Sequence, residues 1–310
     1  LLNKRGWVEV EEIRIECPEI FDFEQCLEYF KRNENEILFS VVDQEIYKAV
    51  KINNLNILIH VSYVPHYLKV EILNQDLITP LIVEKLISYI EEWFDFSTDL
   101  SSFYNDVKDN KILAPLTEEL YGLRIIRIPE FFEAITWGII GQQINLSFAY
   151  KLKRRLVEKY GESIPYKDRQ YYIHPSPEKI SNVTIEELME LKFSRRKAEY
   201  LIDIANKIQS QIITKKMLLN LTDKEEIEKA LTDLRGIGPW TAHYVMMRSL
   251  GIKNAYPVGD VGLQNALKLI LELEQKPSKE FMIELNKDWE KWSSYATFYI
   301  WRAPYLRNIK

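Results

Sequence analysis

The chain has 310 residues, 46% hydrophobic and 28% charged, the balance of an ordinary globular protein with room for two or three cores. No run of about 18 apolar residues offers a membrane span, and the start lacks the basic-then-apolar pattern of a secretion signal. Two cysteines, Cys17 and Cys26, exclude a disulfide framework, a structural zinc site and an iron–sulfur cluster. They leave either one disulfide or two thiols buried in a reducing compartment. The net charge of -5 hides an asymmetry: residues 1–110 hold 10 Lys+Arg against 21 Asp+Glu, and the remainder holds 31 against 25. A polyanionic partner belongs on the second part, unless both charge sets are simply solvated surface.

The expected elements begin with a partly alternating stretch from Trp7 to Ile15. Short strands follow at 37–42, 45–52, 55–61 and 68–73, with Asn53-Asn54 as a hairpin turn. Phe23–Phe30 and Thr79–Phe94 read as helices. This describes an α+β N-terminal domain, an antiparallel sheet with helices, over residues 1–96. From residue 97 to 310 the hydrophobic period turns helical, with helices expected at 131–140, 146–159, 184–191, 194–209, 224–234, 239–250, 261–271 and 278–301. The second domain is therefore read as all-α. Pro165-Tyr-Lys-Asp and His174-Pro-Ser-Pro mark loops.

Within that helical part stands Leu234-Arg-Gly-Ile-Gly-Pro-Trp-Thr-Ala242, followed 18 residues later by Asp260 in Pro257-Val-Gly-Asp. Gly236 and Gly238 permit backbone angles and close approach that a side chain blocks. The N–H groups of the helix opened by Pro239 favour an anion. A helix–Gly-Ile-Gly–helix unit at about 225–250 can thus grip a phosphate without reading sequence, with Gly236, Ile237 and Gly238 as the contact. The alternative is a glycine C-cap followed by a new helix. Trp240 and Tyr244 are spaced to share one helix face. Asp260 is either a lone reactive carboxylate or the N-cap of the next helix, roles that are compatible.

These residues resemble the helix-hairpin-helix of the base-excision DNA glycosylases, where the hairpin precedes a Gly/Pro-rich loop and an Asp. The resemblance extends through Tyr121-Gly-Leu-Arg, Pro129-Glu-Phe-Phe-Glu-Ala-Ile, Ile140-Gly-Gln-Gln-Ile, Lys192-Phe-Ser-Arg-Arg-Lys-Ala-Glu-Tyr-Leu and the Trp289 to Arg302 segment. It spans residues 113–310 in order, and the chain is most similar to 3-methyladenine DNA glycosylase II of the AlkA type. That family carries an N-terminal α+β domain before a helical core of two lobes.

The resemblance implies a set of roles. Asp260 stabilises the sugar cation as the glycosidic bond breaks. Trp240, Tyr244 and Trp292 line the base pocket, where aromatic faces attract a cationic purine. Trp240 stands where strand-cleaving relatives place a nucleophilic Lys, so base release without lyase chemistry is expected. Gln143 wedges into the space left by the flipped base. Backbone carbonyls of Thr232, Leu234 and Gly236 hold Na+ or K+, and no catalytic cofactor is expected. The partner is double-stranded DNA with damaged bases, met by a monomer in a bacterial cytoplasm. Ser293 departs from the family, which has Arg there; Arg302, Arg307 and Lys310 lie further on. Trp289, Tyr295, Tyr299 and Trp301 read as core. The four histidines (His60, His66, His174, His243) show no metal-ligand spacing. Two other readings stay open: a glycosylase for deaminated or oxidised bases, and a non-catalytic damage-binding protein. The acidic N-terminal domain is expected to buttress the core away from DNA.

Overall fold

A computed structural model describes residues 8–9, 12–75 and 77–306; Trp7, Arg307 and Lys310 lie outside them. The N-terminal domain contains β1 (Val8–Glu9), β2 (Ile13–Glu16), α1 (Phe23–Phe30), β3 (Ser40–Val42), β4 (Glu45–Ile52), β5 (Leu55–Val64), β6 (Tyr67–Ile72), β7 (Leu77–Ile78) and α2 (Pro80–Trp93). Five of the strands form an antiparallel sheet in the order β2-β6-β5-β4-β3. Ile52 pairs with Leu55 across the two-residue turn. Asn53 takes φ 55°, the left-handed conformation such a turn demands and Asn tolerates. Alternation buries Ile13 and Ile15 of β2, and Leu68 and Val70 of β6, under α1 and α2. Asp22 caps α1 through Gln25 N, and Thr79 caps α2 with Pro80 in its first turn.

The second part contains α3 (Leu100–Val107), α4 (Leu113–Glu119), α5 (Phe131–Ile140), α6 (Leu146–Tyr160), β8 (Glu162–Tyr166), β9 (Arg169–Ile173), α7 (Pro177–Ser181), α8 (Ile185–Glu190), α9 (Arg195–Gln209), α10 (Lys215–Leu219) and α11 (Lys224–Thr232). It continues through α12 (Pro239–Val245), which runs into a π-helical turn over Met246–Leu250, then α13 (Val261–Ile270), α14 (Lys279–Asn286) and α15 (Ser293–Arg302). Two groups of helices result. In one, α5 packs on α9 and α12, with α7 and α8 on α9; in the other, α15 packs on α13 and α4. Among the described residues, no helix is long and apolar enough to cross a membrane.

One hydrophobic cluster runs through both parts. Tyr29 of α1 meets Phe298 of α15 at 4.7 Å between ring centroids. The Tyr295 hydroxyl donates to Asp95 at 2.6 Å. Buried Arg124 donates to the carbonyls of Ile20, Asp95 and Thr98. Lys153 of α6 donates to both oxygens of Glu36 at 2.9 and 3.0 Å. Cys17 and Cys26 are free thiols, and burial pushes both up to about 12.

Two expectations need correction. The second domain is not all-helical, because β8 and β9 form a hairpin whose turn at Lys167-Asp168 lies in the first of the two expected loops. Its Ile164, Tyr171 and Ile173 cover Ala49 and Leu58 on the second face of the N-terminal sheet, so tertiary burial creates the strands. The expected helix over 278–301 is also broken. Trp289 takes φ -143°, and a 3-10 turn over Lys287–Trp292 separates α14 from α15.

Candidate active site

The hairpin between α11 and α12 is built as its glycines suggest. Gly236 has φ +90°, and a Cβ there would collide with the Tyr200 ring laid against it from α9. Gly238 is the N-cap of α12 and has open space where a side chain would project. Ile237 between them is buried, so only its backbone faces outward. A groove runs beside the hairpin, edged by Gln142, Gln143, Lys207, Arg235, Trp240 and Lys279 among others, and among the described residues none before 142 lines it.

Asp260 caps α13, its Oδ1 accepting from Leu263 N at 2.7 Å. The same oxygen accepts from Trp301 Nε1 at 2.9 Å, and Oδ2 accepts from Trp240 Nε1 at 2.8 Å. Three N–H donors from three segments therefore fix one carboxylate: its own helix, α12 and α15. Trp240 is half-buried and stacks on Tyr244 at 5.8 Å with 24° between planes, as their spacing requires. Tyr244 is buried, which pushes its hydroxyl above the ordinary value despite Arg248 close by. The Arg248 guanidinium lies 5.6 Å from the Tyr244 ring and donates to its hydroxyl.

Trp292 does not join this group. It is buried against Phe103 of α3 at 5.5 Å and donates to Asp106 at 2.7 Å. The last helix sends Trp301 to the site instead. At about 100° per residue, nine residues place Trp292 and Trp301 on opposite sides of a helix, so both cannot face one pocket. Trp301 is half-buried, whereas Trp289, Tyr295 and Tyr299 are core as expected. Ser293 is fully buried and donates to the Glu290 carbonyl, so this position faces the interior.

Gln143 sits exposed at the tip of the α5–α6 turn with φ 56°, a position open to a wedge role. Gln142 beside it donates to the Gly236 carbonyl at 2.9 Å and to Thr241 Oγ1 at 3.2 Å. That contact bears on the expected alkali cation. The Gly236 carbonyl is occupied by Gln142, and the Leu234 carbonyl accepts Ile237 N at 3.0 Å. A carbonyl oxygen has two lone pairs, so these contacts leave one at each of Leu234 and Gly236 for a cation. His243 is structural: its Nδ1 accepts from Tyr256 N at 3.0 Å and its Nε2 faces Glu228 at 3.2 Å. Burial lowers its pKa, opposed by Glu228. It ties α12 to the loop that carries Asp260.

Fold and site together define a class: a helix-hairpin-helix protein with a solitary carboxylate set between two indoles beside the hairpin. Known proteins agree. Residues 136–291 match the family described as HhH-GPD superfamily base excision DNA repair protein, and residues 7–135 match the 8-oxoguanine DNA glycosylase N-terminal domain. The chain is 39% identical to the DNA-3-methyladenine glycosylase of Bacillus subtilis, over 96% of this chain and 99% of that protein. Its fold is similar to the 3-methyladenine DNA-glycosylase of Archaeoglobus fulgidus (TM-score 0.82, 23% identity, 96% and 100% covered). It is also similar to the Clostridium acetobutylicum 8-oxoguanine glycosylase/lyase in complex with dsDNA containing cytosine opposite to 8-oxoG (TM-score 0.74, 18% identity, 95% and 96% covered). The chain belongs to the HhH-GPD superfamily of base excision DNA repair proteins and, within it, to the DNA-3-methyladenine glycosylase family.

Proposed function

We propose that this chain is a monofunctional DNA glycosylase that releases alkylated purines of the 3-methyladenine and 7-methylguanine type from duplex DNA, acting as a monomer in a bacterial cytoplasm. The observation that carries this reading is Asp260, fixed by the indole N–H groups of Trp240 and Trp301 beside the glycine hairpin. The hairpin backbone holds a phosphate while the damaged nucleotide leaves the stack, at a cost of a few kcal/mol. The aromatic face of Trp240 attracts a cationic purine by roughly 0.5–2 kcal/mol. Asp260 stabilises the positive charge that grows on deoxyribose and orients the attacking water. An alkylated purine departs as a neutral base, so no general acid is needed. Trp240 supplies no amine, so no Schiff base forms and the product is an intact strand with an abasic site.

The test is release of free base from methylated duplex DNA, by the native chain and by Asp260→Asn, with borohydride added to trap any covalent intermediate. Base release by the native chain, its loss in the variant, and no trapped adduct are expected. Undiminished release by Asp260→Asn would overturn the role of Asp260. A second reading, excision of oxidised guanine, is favoured by the N-terminal match over residues 7–135. An 8-oxoguanine duplex in the same assay decides it: faster release there than from methylated DNA would replace the alkyl-base reading.

A further inference from the structure

The turn between α5 and α6 carries Gln143, and it is held from two sides. From one side Lys197 of α9 donates to the carbonyls of Ile140 and Gln142 at 2.7 and 2.8 Å. Ile140 ends α5, where a helix leaves carbonyls without partners at the negative end of its dipole, and Gln142 lies two residues beyond. Lys197 is half-buried, and burial is what lowers its pKa. From the other side the Gln142 side chain reaches the Gly236 carbonyl and Thr241 Oγ1. Close packing reinforces the tie. A Cβ on Gly138 would lie 2.6 Å from Thr241 Cγ2, so α5 and α12 touch there. A Cβ on Gly141 would sit 3.7 Å from Trp240 Cη2. One short turn therefore meets the hairpin, the indole beside Asp260, and solvent through Gln143.

We infer that Lys197 and Gln142 are positioning residues that lock the Gln143 turn to the glycine hairpin, so that gripping the strand and filling the vacated stack act as one rigid unit. Two groups that must act on one nucleotide have to keep a fixed separation. An error of about 1 Å in such a constellation can cost on the order of a hundredfold in rate. A cation satisfying two carbonyls, with an amide bridging to the hairpin, removes the freedom of an exposed turn that contains a left-handed residue. The inference rests on the glycosylase reading above, and it concerns the eversion of a paired base rather than bond cleavage.

The experiment separates these steps. Lys197→Met keeps the apolar stem and removes the ammonium; Gln142→Met removes the bridge and leaves the Lys197 contacts. Each is assayed on a methylated duplex with the damaged purine opposite its complement, and on one with the same purine opposite an abasic site, where eversion is easy. Lys197→Met is expected to lose about tenfold or more on the paired substrate and less than about twofold on the unpaired one, with Gln142→Met in the same direction and smaller. A merely structural defect lowers both substrates equally, and that result, or no loss on either, would overturn the inference. A second readout needs no catalysis: the fluorescence rise of 2-aminopurine placed in a bound duplex. If the native chain raises this fluorescence yet releases no base, the glycosylase reading fails, and the positioning role is judged by whether Lys197→Met abolishes the rise. If the native chain neither raises fluorescence nor releases base, both fail.

Discussion

The N-terminal sheet domain and the hairpin side of the helical core treat their polar groups in opposite ways. In the sheet domain charges pair with one another or with the core. His60 lies between Glu45 and Glu71 at 2.7 and 2.8 Å, Lys69 bridges Glu71 and Glu12, and Glu36 is sealed against Lys153. On the hairpin side the polar groups that matter are half-exposed: the Trp240 and Trp301 indoles, the Gln143 turn and the backbone at Gly238. The acidic domain is thus tied down by internal pairing and by its seam with the core, and among the described residues it stays out of the groove lining. The role expected of it is that of a scaffold. Substitutions there should change stability and spare the rate per folded molecule, while those around Asp260 should do the reverse.

The largest effect that would break this contrast concerns Asp260. Asp260→Asn should cut base release by about 10²- to 10³-fold, with only a small fall in melting temperature: Asn is as good an N-cap as Asp, and the loss is confined to the acceptor for the half-buried Trp240 indole. A large drop in melting temperature would make Asp260 a structural residue instead. On the scaffold side, Glu36→Gln leaves Lys153 only the longer contact to Glu133 at 3.6 Å and should cost roughly 3 kcal/mol in denaturant unfolding, with release per folded molecule unchanged.

The same seam predicts an acid sensitivity. Burial raises the Glu36 carboxyl, but Lys153 outweighs this and holds it at about 2. Its contribution is complete above the ordinary carboxylate range and is lost as pH falls from about 4.5 to 2. His174 is pushed down to about 4 by burial, so the stability it confers while neutral is lost earlier, as pH falls from about 6.5 to 4. Unfolding midpoints measured from pH 7 to pH 3 should therefore decline in two stages. Replacing His174 with Gln should shrink the first, leaving the part that His243, also lowered by burial, contributes.

Smaller effects sharpen the division within the last helix. Trp301→Phe keeps the ring and deletes the donor to Asp260, so release should fall about tenfold at unchanged stability. Trp292→Phe deletes the donor to Asp106 on the other side. It should cost about 1 kcal/mol of stability and leave release intact. If Trp292→Phe impaired release more than Trp301→Phe, the placement of the pocket would be wrong.

Much of this was legible from particular residues. Asn53-Asn54 announced its hairpin, Pro239 its helix start, and Asp260 its cap. The i, i+4 spacing of Trp240 and Tyr244 predicted their stacking. Trp301 was missed because an aromatic in an apolar helix reads as core, although the nine-residue interval to Trp292 already set the two on opposite faces. Lys197, Lys207 and Lys279 gave no signal, since a lysine at a helix surface looks the same whether it meets water, a carbonyl or a groove.

Local chemistry by itself determined where helices start and which glycines could carry a hairpin. These depend on neighbours within a few residues, whose dihedral and capping preferences are written into residue type. Only the tertiary structure decided that β8 and β9 are strands, that the helix after Ser278 breaks at Trp289, and that Trp301 rather than Trp292 reaches Asp260. Each is settled by burial against a segment far away in sequence. Such packing overrides local preference, because covering an apolar face stabilises more than keeping one helix straight.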